Sequence, residues 1–362
     1  MIWVLTAGFG DGHNSAAKSV ADALLRMAPR ETVVAFDLLA AVHPLVMTAA
    51  QAGYRFTITH CPSLWRAAYG WFASPSMGSC GHWLPTLTAA LDARLERERP
   101  RLIISTYPLY SSLLDHLRKQ GRTVPPLVTV VTDSITVHPS WTAAPSDLVC
   151  VADEETHRAV AKLGVPETSI HITGFPVCLS FMDQVPSDHA DTRILYMPST
   201  PPAHVGATLD ALLPVLQNGT RLTLQTGRHA PALYQTIRRF MDAHPDAPVD
   251  VIGWTNQLPR YLQTHDIVIC KAGGAILHEA LAARIPAIID YVVPGQEEGN
   301  AELLLTHHCA VRSHSPQETA QHLQRLLDNH RALAISMRSN MRPLSAPDAA
   351  LRVADLALKM AT

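Results

Sequence analysis

The sequence predicts an α/β protein made of two Rossmann-like units in tandem, and three observations carry that prediction. Short β-branched runs alternate with longer stretches whose apolar residues recur at helical spacing, the pattern of βαβ units around a parallel sheet. The alternation comes as two series, separated by a stretch in which periodicity lapses. The length, 362 residues, exceeds what one hydrophobic core usually organises and suits two domains of about 150 to 200 residues.

The first series opens with a strand at Ile2 to Thr6, a helix at Ser15 to Met27 in which Ala, Val and Leu recur, and a strand at Thr32 to Phe36. Further strands are expected at Leu102 to Ser105, Leu127 to Val131, Leu148 to Val151 and Ile170 to Thr173. Between the series, Pro176 to Asp191 gathers Pro, Ser and Asp, the composition of a linker. The second series runs through Ile194 to Met197, Leu222 to Gln225, Val249 to Ile252, Ile267 to Ile269 and Ala287 to Ile289. This divides the chain into domains 1–178 and 190–342, with a last helix from Ala346 to Met360, after Pro343, packing back on the first.

One region breaks the rhythm. His43 to Leu84 holds Tyr54, Phe56, Trp65, Tyr69, Trp71, Phe72 and Trp83, with Arg55 and Arg66 as its only formal charges. Such a segment either packs into a core, the commoner fate of aromatic rings, or lies at a membrane interface.

Composition excludes several classes. With 47% hydrophobic and 17% charged residues, the chain is not globally disordered. The balance of 29 Lys and Arg against 31 Asp and Glu lacks the basic footprint of a nucleic-acid binder. The six cysteines (Cys61, Cys80, Cys150, Cys178, Cys270 and Cys309) form no CxxC pair, which fits free thiols in a reducing compartment better than a disulfide frame or zinc site. The 19 histidines include no HExxH spacing, so no metal site is expected. The first residues carry neither a basic n-region nor an apolar h-region, and no stretch reaches about 18 uninterrupted apolar residues. A cytoplasmic chain without signal peptide or spanning helix is the expectation.

Three motifs carry chemistry. GFGDGH, Gly8 to His13, lies between the first strand and its helix, where glycines such as Gly10 and Gly12 let backbone N–H groups approach a ligand at a helix N-terminus. It is not GxGxxG. It ends in His13, a side chain that accepts protons near neutrality, and Asp37 lies further on than the ~20 positions expected of a nicotinamide site. CKAGGAILHEAL, Cys270 to Leu281, sets Gly273 and Gly274 at the opening of a helix, suited to a diphosphate, with Lys271 adding charge and Glu279 within reach of a ribose diol. PGQEEGNAE, Pro294 to Glu302, follows the strand AIIDYVV and offers Gln296, Glu297, Glu298 and Asn300 at the carboxyl end of a strand, a set suited to a polyhydroxylated sugar.

The segment VIGWTNQLPRYLQTHDIVICKAGGAILHEALAARIPAIIDYVVPGQEEGNAELLL closely resembles the donor-binding half of the monogalactosyldiacylglycerol synthase and processive diacylglycerol glucosyltransferase family, related more distantly to the peptidoglycan N-acetylglucosaminyltransferase. TAGFGDGHNSAAKSVADAL, FDLLAAVHPL, RLIISTYPL, VVTDSITVHPSW, VCVADEE and HITGFPV occur in that family's order, so the resemblance covers nearly the whole chain. It implies a GT-B fold, two Rossmann-like domains facing a central cleft, and an inverting, metal-independent transfer from a UDP-hexose to a diacylglycerol-like lipid at the inner face of a membrane. UDP-sugar would be substrate, and no cofactor is implied. By the same resemblance the backbone at Trp254 and Thr255 would read the uracil. Ala272, Gly273 and Gly274 would cradle the diphosphate, Glu279 the ribose, and Gln296, Glu297 and Asn300 the hexose. His13 is then the candidate base, with Asp133 orienting the acceptor or the imidazole, and His138, Tyr54, Trp65 and Trp71 on the acceptor side. With an unperturbed imidazole, the rate would fall as pH drops through about 6.5.

The resemblance has one departure. Where the family carries a Gly-rich loop after the first strand of the second domain, this chain reads YMPSTPPAHVG, Tyr196 to Gly206. Pro198, Pro201 and Pro202 have no N–H to donate, so the loop does not build the same backbone nest, and Ser199, Thr200 and His204 are the side chains available instead. Rival readings are a transferase for a soluble secondary metabolite, a non-catalytic UDP-sugar-binding protein and an epimerase. The hexose and the oligomeric state are not written in the sequence.

Overall fold

A computed structural model describes residues 1–8, 11–61, 65, 85–183, 191–216, 219–227 and 230–361, except the side chains of Asp11, Arg55, Thr59 and His60. The strands are β1 (Ile2–Thr6), β2 (Val33–Asp37), β3 (Leu102–Ser105), β4 (Leu127–Val130), β5 (Leu148–Val151), β6 (Ile170–Ile172), β7 (Thr192–Met197), β8 (Thr220–Gln225), β9 (Val249–Ile252), β10 (Ile267–Lys271), β11 (Ala287–Tyr291) and β12 (Ala310–Arg312). The helices are α1 (Asp11–Met27), α2 (Leu38–Val42), α3 (Pro44–His60), α4 (Pro85–Glu98), α5 (Leu109–Lys119), α6 (Glu154–Lys162), α7 (Pro202–Leu212), α8 (Ala230–Ala243), α9 (Leu258–Thr264), α10 (Gly274–Ala283), α11 (Glu298–Thr306), α12 (Pro316–Asn340) and α13 (Ala349–Met360).

These elements form two compact units. The first comprises Met1–Leu179, Pro294–Gly299 and Ala346–Thr362, and the second Ser180–Val293 and Asn300–Ser345. The hexapeptide 294–299 therefore groups with the first unit, whereas the sequence reading kept 190–342 whole. Its reason is local: the hexapeptide packs on the turn that follows β4, as Gly299 shows below.

The first unit holds a parallel sheet in the order β2-β1-β3-β4-β5-β6. β1, β3 and β4 are buried along their whole length, as expected of parallel strands covered on both faces. Alternate residues serve opposite cores. Ile2, Val4, Leu102 and Ile104 pack with Val20 and Leu24 of α1 and with Val353, Ala354 and Ala357 of α13. Trp3, Leu5 and Ile103 pack with Leu87 and Leu91 of α4 and Leu113 of α5.

The second unit holds a parallel sheet in the order β12-β11-β10-β7-β8-β9. Ile194, Tyr196, Leu222, Leu224, Ile267 and Ile269 join Leu209 of α7 and Leu323 of α12 in its core. β12, three residues long with only Ala310 fully buried, is absent from the sequence reading because it ends in Arg312 and forms no apolar run.

Each sheet reverses its direction of growth once. In the first the reversal lies between β1 and β3, and in the second between β7 and β10. Such switch points open a crevice at the carboxyl ends of the strands, where open α/β sheets take ligands. Among the described residues no helix is long and apolar enough to cross a membrane.

Candidate functional site

In the first unit the switch point holds His13. α1 begins at Asp11, earlier than periodicity indicates, because the polar residues at 11–15 carry no apolar signal; His13 therefore stands in its first turn. Thr106 immediately follows β3, and its N–H donates to Leu5 O of β1 at 2.9 Å. His13 Nδ1 lies 2.8 Å from Thr106 O and 2.9 Å from Thr132 Oγ1. A carbonyl only accepts, so Nδ1 carries the hydrogen and Nε2 is left as the acceptor nitrogen. The Thr106 hydroxyl donates back to His13 O at 3.0 Å, and the Tyr107 ring meets the imidazole edge-on with centroids 5.0 Å apart. Burial pushes the His13 pKa down to about 4, against a small upward pull from the Thr106 hydrogen bond. At neutral pH the ring is uncharged with one basic nitrogen, the state a general base requires.

Asp133 is held by Trp141 and the His138 backbone. Its Oδ2 accepts the Trp141 indole N–H at 2.7 Å, and burial raises its pKa to about 6, opposed by the hydrogen bonds from Trp141 and the His138 backbone. Thr106 and Thr132 hold the imidazole. The signal that finds Thr106 is positional, since it ends the strand across the switch point from the one that leads to His13. His138 caps the short helical turn Pro139–Thr142, its Nδ1 accepting the Ser140 N–H at 3.2 Å. Asp37 braces the turn, its Oδ1 accepting Ala40 N at 2.9 Å and its Oδ2 accepting Gly8 N at 2.9 Å. Gly12 has open space where a side chain would stand. Gly10 and Trp71 lie outside the described residues.

The hexapeptide 294–299 adds a second group to the first unit. Gln296 Oε1 accepts the Tyr54 hydroxyl at 3.0 Å, which sets Tyr54, expected on the acceptor side, beside a residue expected to read the donor sugar. The Trp65 ring packs against Tyr54 with centroids 4.9 Å apart. Glu297 is buried. Gly299 has no room for a side chain: a Cβ would lie 2.6 Å from Thr136 N and collide with Ser134 O. There the chain makes a tight turn, Thr136 N donating to Ser134 O at 2.6 Å, with Ile135 at φ +55. A β-branched residue in the left-handed region is strained, and Thr156 Oγ1 holds it by accepting Ile135 N at 3.1 Å.

In the second unit the switch point holds the glycine pair. Cys270 of β10 is in register with Met197 of β7, so the turn 272–274 and the proline-rich loop leave the sheet side by side. Ala272 is buried, and Gly273 caps α10 without a side-chain hydrogen bond, so the first N–H groups of that helix, at its positive end, are an anion-binding arrangement. Lys271 folds over the turn, its Nζ 3.4 Å from where a Gly273 Cβ would stand. Asn300 Nδ2 donates to Ala272 O at 3.2 Å, bracing the turn. Glu279 is half-buried on α10. Trp254 is 63% exposed and, with Thr255, follows edge strand β9; Thr255 Oγ1 accepts Gln257 N at 3.0 Å.

Beside the glycine turn, α7 starts at Pro202, a position where a missing N–H costs nothing. His204 Nε2 is buried without a hydrogen-bond partner. Asp290, at the end of β11, and the Tyr196 hydroxyl are buried beside Thr200 and Thr208, with which they form one polar cluster. Burial pushes the Asp290 pKa up to about 7.

Comparison with known proteins places this geometry. Residues 13–177 match the family Monogalactosyldiacylglycerol (MGDG) synthase, and residues 207–351 match the Glycosyltransferase family 28 C-terminal domain. A processive diacylglycerol beta-glucosyltransferase of Bacillus cereus (strain AH187) is 25% identical over 371 residues, covering 99% of this chain and 93% of its own. Among solved structures, MurG of Acinetobacter baumannii aligns with a TM-score of 0.63 at 14% identity, covering 99% of each chain. Anabaena HepE in complex with UDP and glucose aligns with a TM-score of 0.57 at 14% identity, over 99% of this chain and 98% of its own. At such identities the two structures establish the fold, which is GT-B. The fold, the two matched domains and a curated relative of nearly the same extent agree: the chain carries a monogalactosyldiacylglycerol synthase domain followed by a glycosyltransferase family 28 C-terminal domain, and it is similar over nearly its whole length to processive diacylglycerol beta-glucosyltransferases.

Proposed function

We propose that the protein is an inverting glycosyltransferase that moves a hexose from a UDP-sugar to the hydroxyl of a diacylglycerol-like lipid. The observation that carries this reading is the neutral imidazole of His13, its hydrogen fixed on Nδ1 by Thr106 O. An inverting transfer needs a base for the acceptor proton while positive dipoles receive the charge that grows on the departing diphosphate. His13 Nε2 meets the first need. The first N–H groups of α10 and the ammonium of Lys271 meet the second, and these groups support a reaction that runs without a metal ion. Glu279 would hold the ribose, Trp254 and Thr255 the uracil, Gln296, Glu297 and Asn300 the hexose.

The lipid side rests on α3. Leu45, Val46 and Phe56 are 84%, 65% and 59% exposed, an apolar surface that water disfavours and a membrane interface would cover. Peripheral attachment to a membrane surface is the arrangement this supports.

The test is incubation with UDP-glucose or UDP-galactose and dioleoylglycerol in mixed micelles, with products read by mass. A hexosyl-diacylglycerol is expected, and His13→Ala should lower kcat by about 10² to 10⁴ while UDP affinity changes little. A His13→Ala enzyme of near-normal kcat at pH 7 would remove His13 as the base. Absence of any hexosylated lipid from either donor would overturn the acceptor assignment.

A further inference from the structure

Two polar side chains of helix α3, Gln51 and Tyr54, stand three residues apart and hence are neighbours on one face. Each meets a different loop of the first unit. The Gln51 amide nitrogen sits 2.5 Å from where a Cβ of Gly8 would stand, in the turn that leads to His13. The Tyr54 hydroxyl donates to Gln296 Oε1 at 3.0 Å, and the Trp65 ring braces the Tyr54 ring at 72°. Met47, one helical turn before Gln51, is buried and anchors this face. One helix face therefore spans the approach to the base and the loop expected to read the sugar.

A glutamine amide presents an acceptor oxygen and a donor nitrogen that occupy nearly the same space, so an unrestrained amide offers either to a ligand. A hydroxyl that donates to the oxygen removes the ambiguity. With Oε1 engaged by Tyr54, Nε2 is the group left to donate. Glucose and galactose differ only in the direction of one hydroxyl, and a site tells such partners apart with hydrogen-bonding groups of fixed direction, because the wrong partner leaves a polar group unpaired. We propose that Tyr54 is a positioning residue for the donor sugar: it locks the Gln296 amide so that Nε2 donates to a hexose hydroxyl, and α3 thereby sets recognition of the UDP-hexose. The inference rests on the reading of Gln296 as a hexose contact.

Calorimetric titration of the full chain with UDP-glucose, UDP-galactose and UDP tests it without requiring the acceptor. Tyr54→Phe keeps the ring and its packing on Trp65 and removes only the hydroxyl. Loss of one hydrogen bond's net effect should weaken the better-bound UDP-hexose about three- to tenfold, leave UDP unchanged, and narrow the ratio between the two hexoses. Gln296→Ala should weaken the same UDP-hexose without affecting UDP, and Tyr54→Phe in that background should add nothing, since the two side chains act as one unit. Loss in Gln296→Ala with none in Tyr54→Phe would overturn the positioning role and keep the hexose contact. No loss in either variant would overturn the hexose reading itself. Additive losses, or an equal loss for UDP, would show that Tyr54 acts on the fold instead, and would also overturn the proposal. Should Tyr54→Phe not fold, Gln296→Glu gives the decision: it retains an oxygen for Tyr54 and has no amine donor, so hexose affinity should fall as in Gln296→Ala, and retained affinity would overturn the donor role of Nε2.

Discussion

His13 is useful in the proposed reaction because burial keeps it uncharged. With its pKa pushed down to about 4, the fall of kcat on acidification should centre near that value and not near the ordinary imidazole pKa of about 6.5; a pH–rate profile of the lipid-transfer reaction checks this. The same shift affects stability. Between about pH 4 and 6.5 the unfolded chain binds a proton that folded His13 refuses, so His13 withdraws stability as pH falls through that window. Asp290 has the opposite sign. Its folded pKa of about 7, against a reference of 3.8, means that the folded state holds a proton the unfolded chain has released, so stability is lost as pH rises from about 4 through 7. Asp290→Asn removes that dependence. Urea unfolding at pH 5 and pH 8 should show the variant gaining on the wild type at the higher pH, and a difference independent of pH would contradict the assigned burial cost. Neither environment was legible in the sequence: His13 could be found from its Gly-rich turn, but Thr106 and Thr132 lie 93 and 119 residues away, a proximity that only the strand order creates. Asp290 sits in AIIDYVV with nothing in its neighbours to reveal that it is buried beside Tyr196.

At the scale of elements, the strands were the most legible part, because parallel strands buried on both faces are written as continuous apolar runs. What the sequence hid were polar beginnings and short pieces: the first turn of α1, β12, and the hexapeptide 294–299 that groups with the first unit. α3 was legible in composition but ambiguous in purpose, since aromatic residues serve a core and an interface equally well. The structure divides the helix by face. Met47 is buried, whereas Leu45, Val46 and Phe56 are exposed. Replacing those three exposed residues with Ser should abolish flotation on liposomes of anionic lipid, because it removes the apolar area available to the interface. Stability should change little, since exposed positions away from special features contribute within about 0.5 kcal/mol each. Flotation that survives the triple substitution would move the membrane contact to another surface.

At the scale of the whole molecule, the order of the chain and the order of the cores differ. The chain enters the second unit at Ser180, rejoins the first for Pro294–Gly299 and again from Ala346, so the last helix is structural material for residues more than three hundred positions earlier. Ala350, Val353, Ala354 and Ala357 of α13 are wholly buried and share a core with Val20 and Leu24 of α1 and Ile2 and Val4 of β1. Removing α13 would bare one face of the first sheet to water, and buried aliphatic side chains contribute about 1.5 to 3 kcal/mol each, several of them together reaching the total stability of a typical domain. The second unit has its own core, which α13 does not enter. Truncation after Ser345 should therefore abolish the cooperative unfolding of the first unit, and with it hexosyl transfer, while the second unit still melts as a unit and still binds UDP through the 272–274 turn. Differential scanning calorimetry with and without UDP separates the two outcomes. A UDP-induced rise in the melting temperature of the truncated chain is expected. A truncated chain that binds no UDP would show that the donor groups of the second unit depend on an intact first unit, and that the two do not fold independently.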